Sequence, residues 1–403
     1  MPVSKKSYAQ KKLKSMKLAT IIVYLASIVA LFFYSFTQVD LSLTLINDSF
    51  FQQVEKTFQY IGYFQRPLST MTYSFVVVFL FISYIFLIRL VREELIKWKT
   101  VKRLMIFTAC LLVFSYTAFS YDIFNYIFDA KIITHYHENP YIHKALDYPG
   151  DPMLSFMHWT HRVYPYGPVW IVITVPLSFL GFNYFLPTYF IFKALAAVSY
   201  VGTAFLIGKI LKKVKPEYEL IGVSAFAFNP LVIIETLVSA HNDIVMLFFA
   251  MLGFYLLVKD SKVKSVLSLG ISIAIKFSTA ALLPVFLYTL IKKKHDWNII
   301  FFASLILMFL ATIYVATRST FQPWYLLYAL PFAALQSERE YIFLPTLILS
   351  LVSLFTYVPF LYWGNWDPPT PQILQNIYIG AVAFAVLTGI ILFVLLHKQR
   401  KVV

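Results

Sequence analysis

Apolar stretches near 20 residues long recur along this chain, with only short polar breaks between them. A helix of about 20 apolar residues crosses the roughly 30 Å of bilayer hydrocarbon. In hydrocarbon the backbone has no water to bond, so only helices or a closed barrel can span it. The runs are continuous and do not alternate, which selects helices. Composition agrees: the 403 residues are 60% hydrophobic and 13% charged, against roughly 25% charged in soluble domains. The expected fold is all-α and polytopic.

Twelve segments are drawn as spans: 18–37, 70–90, 102–121, 187–208, 219–238, 243–258, 264–278, 280–292, 298–316, 322–336, 341–359 and 373–396. Some are short, notably 280–292. A thirteenth run, 166–182, is read as re-entrant or surface-lying, because a full crossing there would invert the charge pattern downstream. The first run is too long for a signal-peptide core and lacks a clear cleavage site, so it is read as a retained span. Cys110, the single cysteine, excludes an internal disulfide.

The net charge of +15 does not indicate a nucleic-acid partner. Its basic residues cluster between apolar runs, at 5–17, 89–103, 209–215, 259–264, 292–294, 339 and 398–401. These clusters hold 26 of the 34 Lys and Arg, and the intervening segments hold six, Lys56, Arg66, Lys131, Lys144, Arg162 and Arg318. By the positive-inside rule the clusters are cytoplasmic, with both termini, in a plasma membrane. Anionic lipid is their natural counterpart. Residues 1–101 are expected to form a basic segment with two spans, 102–296 a transmembrane module that includes the segment 122–165, and 297–403 a closing set of helices.

The opposite, outer side then carries the segment 122–165, too short to fold alone without disulfides. Any site there must combine this loop with other outer loops and helix ends. Five patches converge on that side. They are Ser120-Tyr121-Asp122-Ile123-Phe124-Asn125-Tyr126 with Asn139-Pro140-Tyr141; Tyr164-Pro165-Tyr166-Gly167-Pro168-Val169-Trp170; Asn229-Pro230-Leu231 with Glu235 and His241-Asn242-Asp243; Lys276 with Pro284; and Arg318 with Gln322-Pro323-Trp324-Tyr325 and Leu330-Pro331.

In this order the patches resemble the GT-C class of membrane glycosyltransferases, most closely the bacterial polyprenyl-phosphate-mannose-dependent mannosyltransferases. The resemblance covers roughly residues 115–335. It implies a bundle of about 12–13 transmembrane helices with outer juxtamembrane helices, and an outer-loop aspartate after a span. It also implies a polyprenyl-phosphate sugar donor, with mannose as the sugar, and a lipid-linked or cell-surface glycan acceptor. The chain departs from the simplest layout of that class, because the spans 18–37 and 70–90 precede the span that leads to the aspartate.

Asp122 is the candidate general base, taking the proton of the acceptor hydroxyl as that oxygen attacks the anomeric carbon with inversion. Its alternative is a helix cap. Asp129 lies two helical turns further along the same face. It is the reserve candidate for the base, read also as a substrate contact or as a surface charge paired with Lys131 or Lys144. Arg318, Lys276, Arg162 and Lys193 are candidates for the donor phosphate, since cations belong where negative charge develops. His241, Asn242, Asp243, Glu235, Tyr166 and Trp324 are candidates for substrate binding. The turn at 241–243 also suits a polar loop capped by Asp243, and Lys193 with Glu235 suits a buried ion pair. His135, His137, His143, His158 and His161 match no zinc spacing, so no metal or cofactor is expected. The competing reading is a transporter or flippase of lipid-linked sugars. It would place its polar residues at the membrane midplane, and this sequence gathers them toward one side.

Overall fold

The computed structural model describes residues 5–292 and 294–400; Lys293 and Lys401 of the basic clusters lie outside them. In chain order the helices are α1 (Lys5–Ser35), α2 (Ser49–Phe64), α3 (Arg66–Arg92), α4 (Trp98–Leu112), α5 (Asp122–Thr134), α6 (Pro168–Leu180), α7 (Phe185–Val214), α8 (Glu219–Ala227), α9 (Pro230–Ile233), α10 (Asp243–Val258), α11 (Lys262–Ile275), α12 (Leu283–Ile291), α13 (Trp297–Arg318), α14 (Leu330–Ala334), α15 (Glu340–Phe355), α16 (Tyr357–Trp363) and α17 (Thr370–Arg400). Among the described residues there is no strand, only an isolated bridge between Lys144 and Val163. The all-α polytopic expectation is met.

The number of full-length spans is smaller than the dozen drawn from the sequence. Among the described residues, six helices are long and apolar enough to cross a membrane: Lys14–Gln38, Arg66–Arg92, Phe185–Val214, Trp297–Arg318, Glu340–Trp363 and Thr370–Leu395. A seventh is available if Pro216–Ala227 and Pro230–Val238, bent by 54°, form one span. The segments drawn at 102–121, 243–258, 264–278 and 280–292 become α4, α10, α11 and α12, of 15, 16, 14 and 9 residues. The segment at 322–336 splits into a 3₁₀ turn, Pro323–Tyr328, and α14. α6, from the run at 166–182, has 13 residues. At 1.5 Å per residue it is about 20 Å long, short of a crossing.

The breaks have a chemical cause. Proline supplies no N–H and clashes with the preceding turn, so helices stop before it. At Asn229-Pro230 the freed groups are satisfied locally. Asn229 Oδ1 accepts from the Leu231 N–H at 2.9 Å, and its amide donates to Ser350 Oγ at 3.1 Å. Irregular backbone at this depth survives because protein surrounds it; residues 222–247 are buried almost without interruption.

The centre of the bundle is α7 against α10 and α10 against α11, with α1 on α3 and α15 on α17 outside. α17 presents Ile379, Val382, Phe384, Leu387 and Ile390 to the surroundings. A helix apolar on all sides needs lipid there. α2 is different. Capped by Asp48, it exposes Phe50, Phe51, Tyr60 and Phe64 beside a polar strip of Gln52, Gln53, Lys56 and Thr57. That amphipathic pattern suits a helix lying in the membrane interface.

Several basic clusters meet at one end of the bundle. Lys17 donates to Leu95 O at 2.8 Å. Arg92 pairs with Glu340, and Lys215 with Glu338. Lys209 and Lys259 flank the Tyr255 ring at 5.6 and 4.9 Å. Charge segregation along the sequence thus becomes segregation in space.

Candidate active site

The path to Asp122 begins where α4 ends early. Residues 113–121 then run as turns and irregular backbone, fixed by the Tyr116 N–H donating to Ser35 Oγ at 3.0 Å and by Thr117 Oγ1 donating to Ser120 O at 2.7 Å. Asp122 is the first residue of α5, and its own N–H donates to Ser120 Oγ at 3.2 Å. Its carboxylate is not a cap. It points away from the helix, to His241, with Oδ2 at 3.4 Å from Nδ1.

His241 sits in a turn whose backbone is unusual twice over. Ile234–Val238 form a π-helical turn, and Ala240 has φ of 55°. Single π turns concentrate at functional sites, and a left-handed alanine is held only where its surroundings demand it. The outcome is a row of three charged groups: Glu235 Oε2 lies 3.4 Å from His241 Nε2, on the side opposite Asp122. The imidazole stacks on Trp324, with centroids 4.1 Å apart and planes at 22°. Burial alone would push the imidazole toward neutrality. Asp122 and Glu235 outweigh it and raise His241 to about 9. Burial likewise opposes ionisation of Asp122. The His241 contact, with Lys276 and Arg162 beyond it, holds the carboxyl below its ordinary value.

Asp122 opens into a cavity of about 510 Å³, within the roughly 300–1,000 Å³ usual for small-molecule sites. Seven of the twelve sequence-predicted site residues line it: Asp122, Asp129, Arg162, Tyr166, Lys276, Arg318 and Trp324. They come from α5, the 122–165 segment, the start of α6, the end of α11, the end of α13 and the 3₁₀ turn after it. Gly167 lets two of these elements touch. Its N–H donates to Ile275 O at 3.1 Å, and a Cβ there would meet Ala274 O at 2.1 Å. Tyr166 and Lys276 are brought to the same wall by that contact.

The cations are not equivalent. Lys276 Nζ pairs with both oxygens of Asp243, at 2.7 and 2.9 Å, and Asp243 is fully buried. Asp243 therefore neither caps α10 by its side chain nor meets the cavity; it anchors Lys276. Arg318 and Arg162 are exposed at the cavity edge, with no ion-pair partner among the described residues. Arg162 lies over the Trp159 ring at 4.4 Å. Among the described residues Asp129 has no cationic partner either; Lys131 pairs with Asp151 instead. Burial raises the Asp129 carboxyl well above its ordinary range, and its Oδ2 has no hydrogen-bond partner.

Four predicted residues stand behind the wall. His241 contacts Asp122, and Asp243 contacts Lys276. Glu235 is wholly buried and does not reach the cavity, contrary to its expected place as a substrate contact. Asn242 is also outside the lining, its amide buried and unpartnered. Lys193 lies apart from the cavity. The expected ion pair with Glu235 does not form, because the Lys193 ammonium donates to Ser115 Oγ at 3.0 Å, to Val238 O at 2.7 Å and to Leu237 O. All three protons are used, which leaves none for a phosphate. Lys193 ties the segment before Asp122 to the π-helical turn.

Sequence reasoning missed Asn125, Trp159, Ser278 and Tyr328, all in the lining. Asn125 was within reach, being three residues from Asp122 and so on the same helix face. Trp159 carried no periodic signal; it stands in a loop with φ of 58°. Among the described residues no group of three or more His, Cys, Asp or Glu is arranged to hold a metal. His143 is engaged with Glu138 at 2.8 Å, and His158 stacks on Tyr121 at 3.9 Å.

Comparison with known proteins places this geometry in a lineage. The family described as alpha-(1->6)-mannopyranosyltransferase, N-terminal domain, matches residues 25–292. Alpha-(1->6)-mannopyranosyltransferase A of Corynebacterium glutamicum is 27% identical over 190 residues, which are 46% of this chain and 37% of that protein. The chain thus aligns with well under half of that relative's length. No solved structure matches. The family match runs from α1 to the end of α12, through the aspartate, the π-helical turn and Lys276, and the chain belongs to the alpha-(1->6)-mannopyranosyltransferase family.

Proposed function

We propose that this protein is a membrane mannosyltransferase, moving mannose from a polyprenyl-phosphate donor to a lipid-linked or cell-surface glycan acceptor. The observation that carries the reading is one cavity in which an ionised carboxylate, Asp122, faces a partly buried lysine and two arginines with no ion pair among the described residues. Family membership supports the sugar. Asp122 accepts the proton of an acceptor hydroxyl as its oxygen bonds to the anomeric carbon. The bond from that carbon to the phosphate oxygen breaks, and the electron pair leaves on the phosphate. Arg318, Arg162 and Lys276 offset the charge that develops there. A guanidinium offers two parallel donors to phosphate oxygens. In-line attack from the side opposite the phosphate inverts the anomeric centre. Asn125 and Asp129, with unpartnered oxygens one and two turns from the base, suit sugar hydroxyls. The partners are the lipid donor, the glycan acceptor and membrane lipid.

The transporter reading shares one feature with this fold, the broken helix at Asn229-Pro230. It gives no reason for a base opposite unpaired arginines. Purified protein incubated with a panel of polyprenyl-phosphate sugars separates the two. The expected result is consumption of the mannose donor with release of polyprenyl phosphate when acceptor is present. Movement of intact donor between leaflets without cleavage would displace the enzyme reading.

The cavity is proposed to face the outer side, opposite the basic clusters. With Cys110 replaced by alanine, cysteines at Ser155 and Ser319, both exposed, should react from outside with an impermeant reagent. A cysteine at Lys213 should react only after permeabilisation. The reverse pattern would invert the topology.

A further inference from the structure

Glu235 belongs to no surface. It is wholly buried, and a carboxylate in that position is expensive unless its charge is used. One oxygen, Oε1, accepts from the Tyr357 hydroxyl of α16 at 2.9 Å. The other faces His241 Nε2 at 3.4 Å. The imidazole in turn faces Asp122, and Trp324 covers its ring. Lys276 and Arg162 lie beyond Asp122, and Lys276 is itself paired with Asp243. The π-helical turn and the left-handed Ala240 place Glu235 and His241 on one side of the same short segment; an ordinary helical turn would not. The His241 N–H donates back to Glu235 O at 3.1 Å, which closes that turn.

We propose that Glu235 is a positioning residue for glycosyl transfer, holding the His241 imidazole between its own carboxylate and that of Asp122. The inference rests on the reading of Asp122 as the base. Its logic is charge balance. Before transfer the row reads carboxylate, imidazolium, carboxylate. When the acceptor proton moves to Asp122, the row becomes carboxylate, imidazolium, carboxylic acid. Without Glu235, His241 would then be a buried cation lacking a counter-ion, and Asp122 would resist protonation. With Glu235 the imidazolium stays paired through the proton transfer. The ring also keeps its place over Trp324, so the Asp122 carboxylate stays aimed at the cavity.

Glu235→Gln conserves shape and can still bond Tyr357, so it tests the charge and spares the packing. Two readouts on the full-length protein in detergent decide the matter. The first is the titration of His241, followed by NMR of ¹³C-histidine-labelled protein and assigned by loss of one signal in His241→Gln. His241 should titrate near 9 in the parent and move down toward the ordinary imidazole value of about 6.5 in Glu235→Gln. The second is the pH profile of kcat. Glu235→Gln should lower kcat with little change in the donor KM, and should move the alkaline limb to lower pH by the same interval. Tyr357→Phe, which frees one oxygen of Glu235 but keeps the charge, should leave His241 titrating high. An unchanged titration of His241 in Glu235→Gln overturns the inference, whatever Asp122→Asn does. A shifted titration combined with full turnover of Asp122→Asn upholds the pairing and removes the base reading instead.

Discussion

Asp122→Asn is expected to lower the transfer rate by roughly 10²–10⁴-fold, the usual contribution of a general base, while donor binding and fold persist. Asparagine keeps the shape of the side chain but accepts no proton. The structure removes the main objection to this test. Ser120 Oγ receives the Asp122 N–H, and the Asp122 carboxylate caps nothing, so the substitution breaks no cap. It does remove one partner of His241, with a signed effect on stability. The folded His241 value of about 9 lies above the ordinary imidazole value. Its stabilising share is therefore full below about 6.5 and lost as pH rises through about 9. The Asp122 carboxyl is held below its ordinary value, so its share is present above about 3.9 and lost as pH falls through the lower folded value. Thermal unfolding in detergent across pH 5–10 should show the parent losing stability on the alkaline side. Asp122→Asn should show a smaller loss that begins at lower pH. Asp129→Asn is the matched control. Burial already raises the Asp129 carboxyl well above its ordinary range, so the amide replaces a group held neutral, and most activity should remain. If Asp122→Asn turns over normally and Asp129→Asn is dead, the base is Asp129. If both are active, the carboxylate mechanism fails for this protein.

The parts legible in the sequence were those governed by local chemistry. Apolar run length gave α3, α13 and α17 to within a few residues, because hydrocarbon thickness sets one length for all; α1 and α7 run further, into the basic residues that flank their apolar runs. Charge spacing anticipated that several basic clusters gather at one end of the bundle. Asp122 and Asp129 share a face and a cavity, as seven-residue spacing on a helix requires. What stayed hidden depends on register across elements. An apolar stretch such as 322–336 does not reveal that Pro323 and Pro331 divide it, since the same run satisfies a span by hydropathy alone. Lys193 and Glu235 were both unusual residues in apolar runs, and pairing them was the economical solution. The π-helical turn at 234–238 changes that. It directs Glu235 to His241 and presents the Leu237 and Val238 carbonyls to Lys193. A turn with five-residue periodicity has no composition signal, and neither does the left-handed Ala240. The separation of cavity wall from supporting layer, which puts Glu235 and Asn242 behind His241, follows from the same turn.

The strongest stability effect is expected at Lys276 and Asp243. Asp243 is fully buried, and both its oxygens are bonded to the Lys276 ammonium. Removing one partner of a buried pair leaves the other uncompensated, at about 3–5 kcal/mol. Lys276→Met should therefore unfold at clearly lower temperature in detergent, in addition to any effect on catalysis. The double variant Lys276→Met, Asp243→Leu replaces both charges with apolar groups of similar volume. Such exchanges are often neutral or stabilising, so most of the lost stability should return. Activity should not return, because the cavity has still lost one of its three cations. Lys276→Arg keeps the charge, but its planar fork does not reproduce the point contact that an ammonium makes with both Asp243 oxygens. Partial stability with poor donor use is the expected result. Arg318→Ala supplies the contrast. Arg318 is exposed and without an ion-pair partner among the described residues, so its loss should leave the melting temperature unchanged. It should weaken donor use by about 1.5–3 kcal/mol, the range for a hydrogen bond to a charged group. Recovery of transfer together with stability in the double variant would make Lys276 a clamp only, and would leave the developing phosphate charge to Arg318 and Arg162.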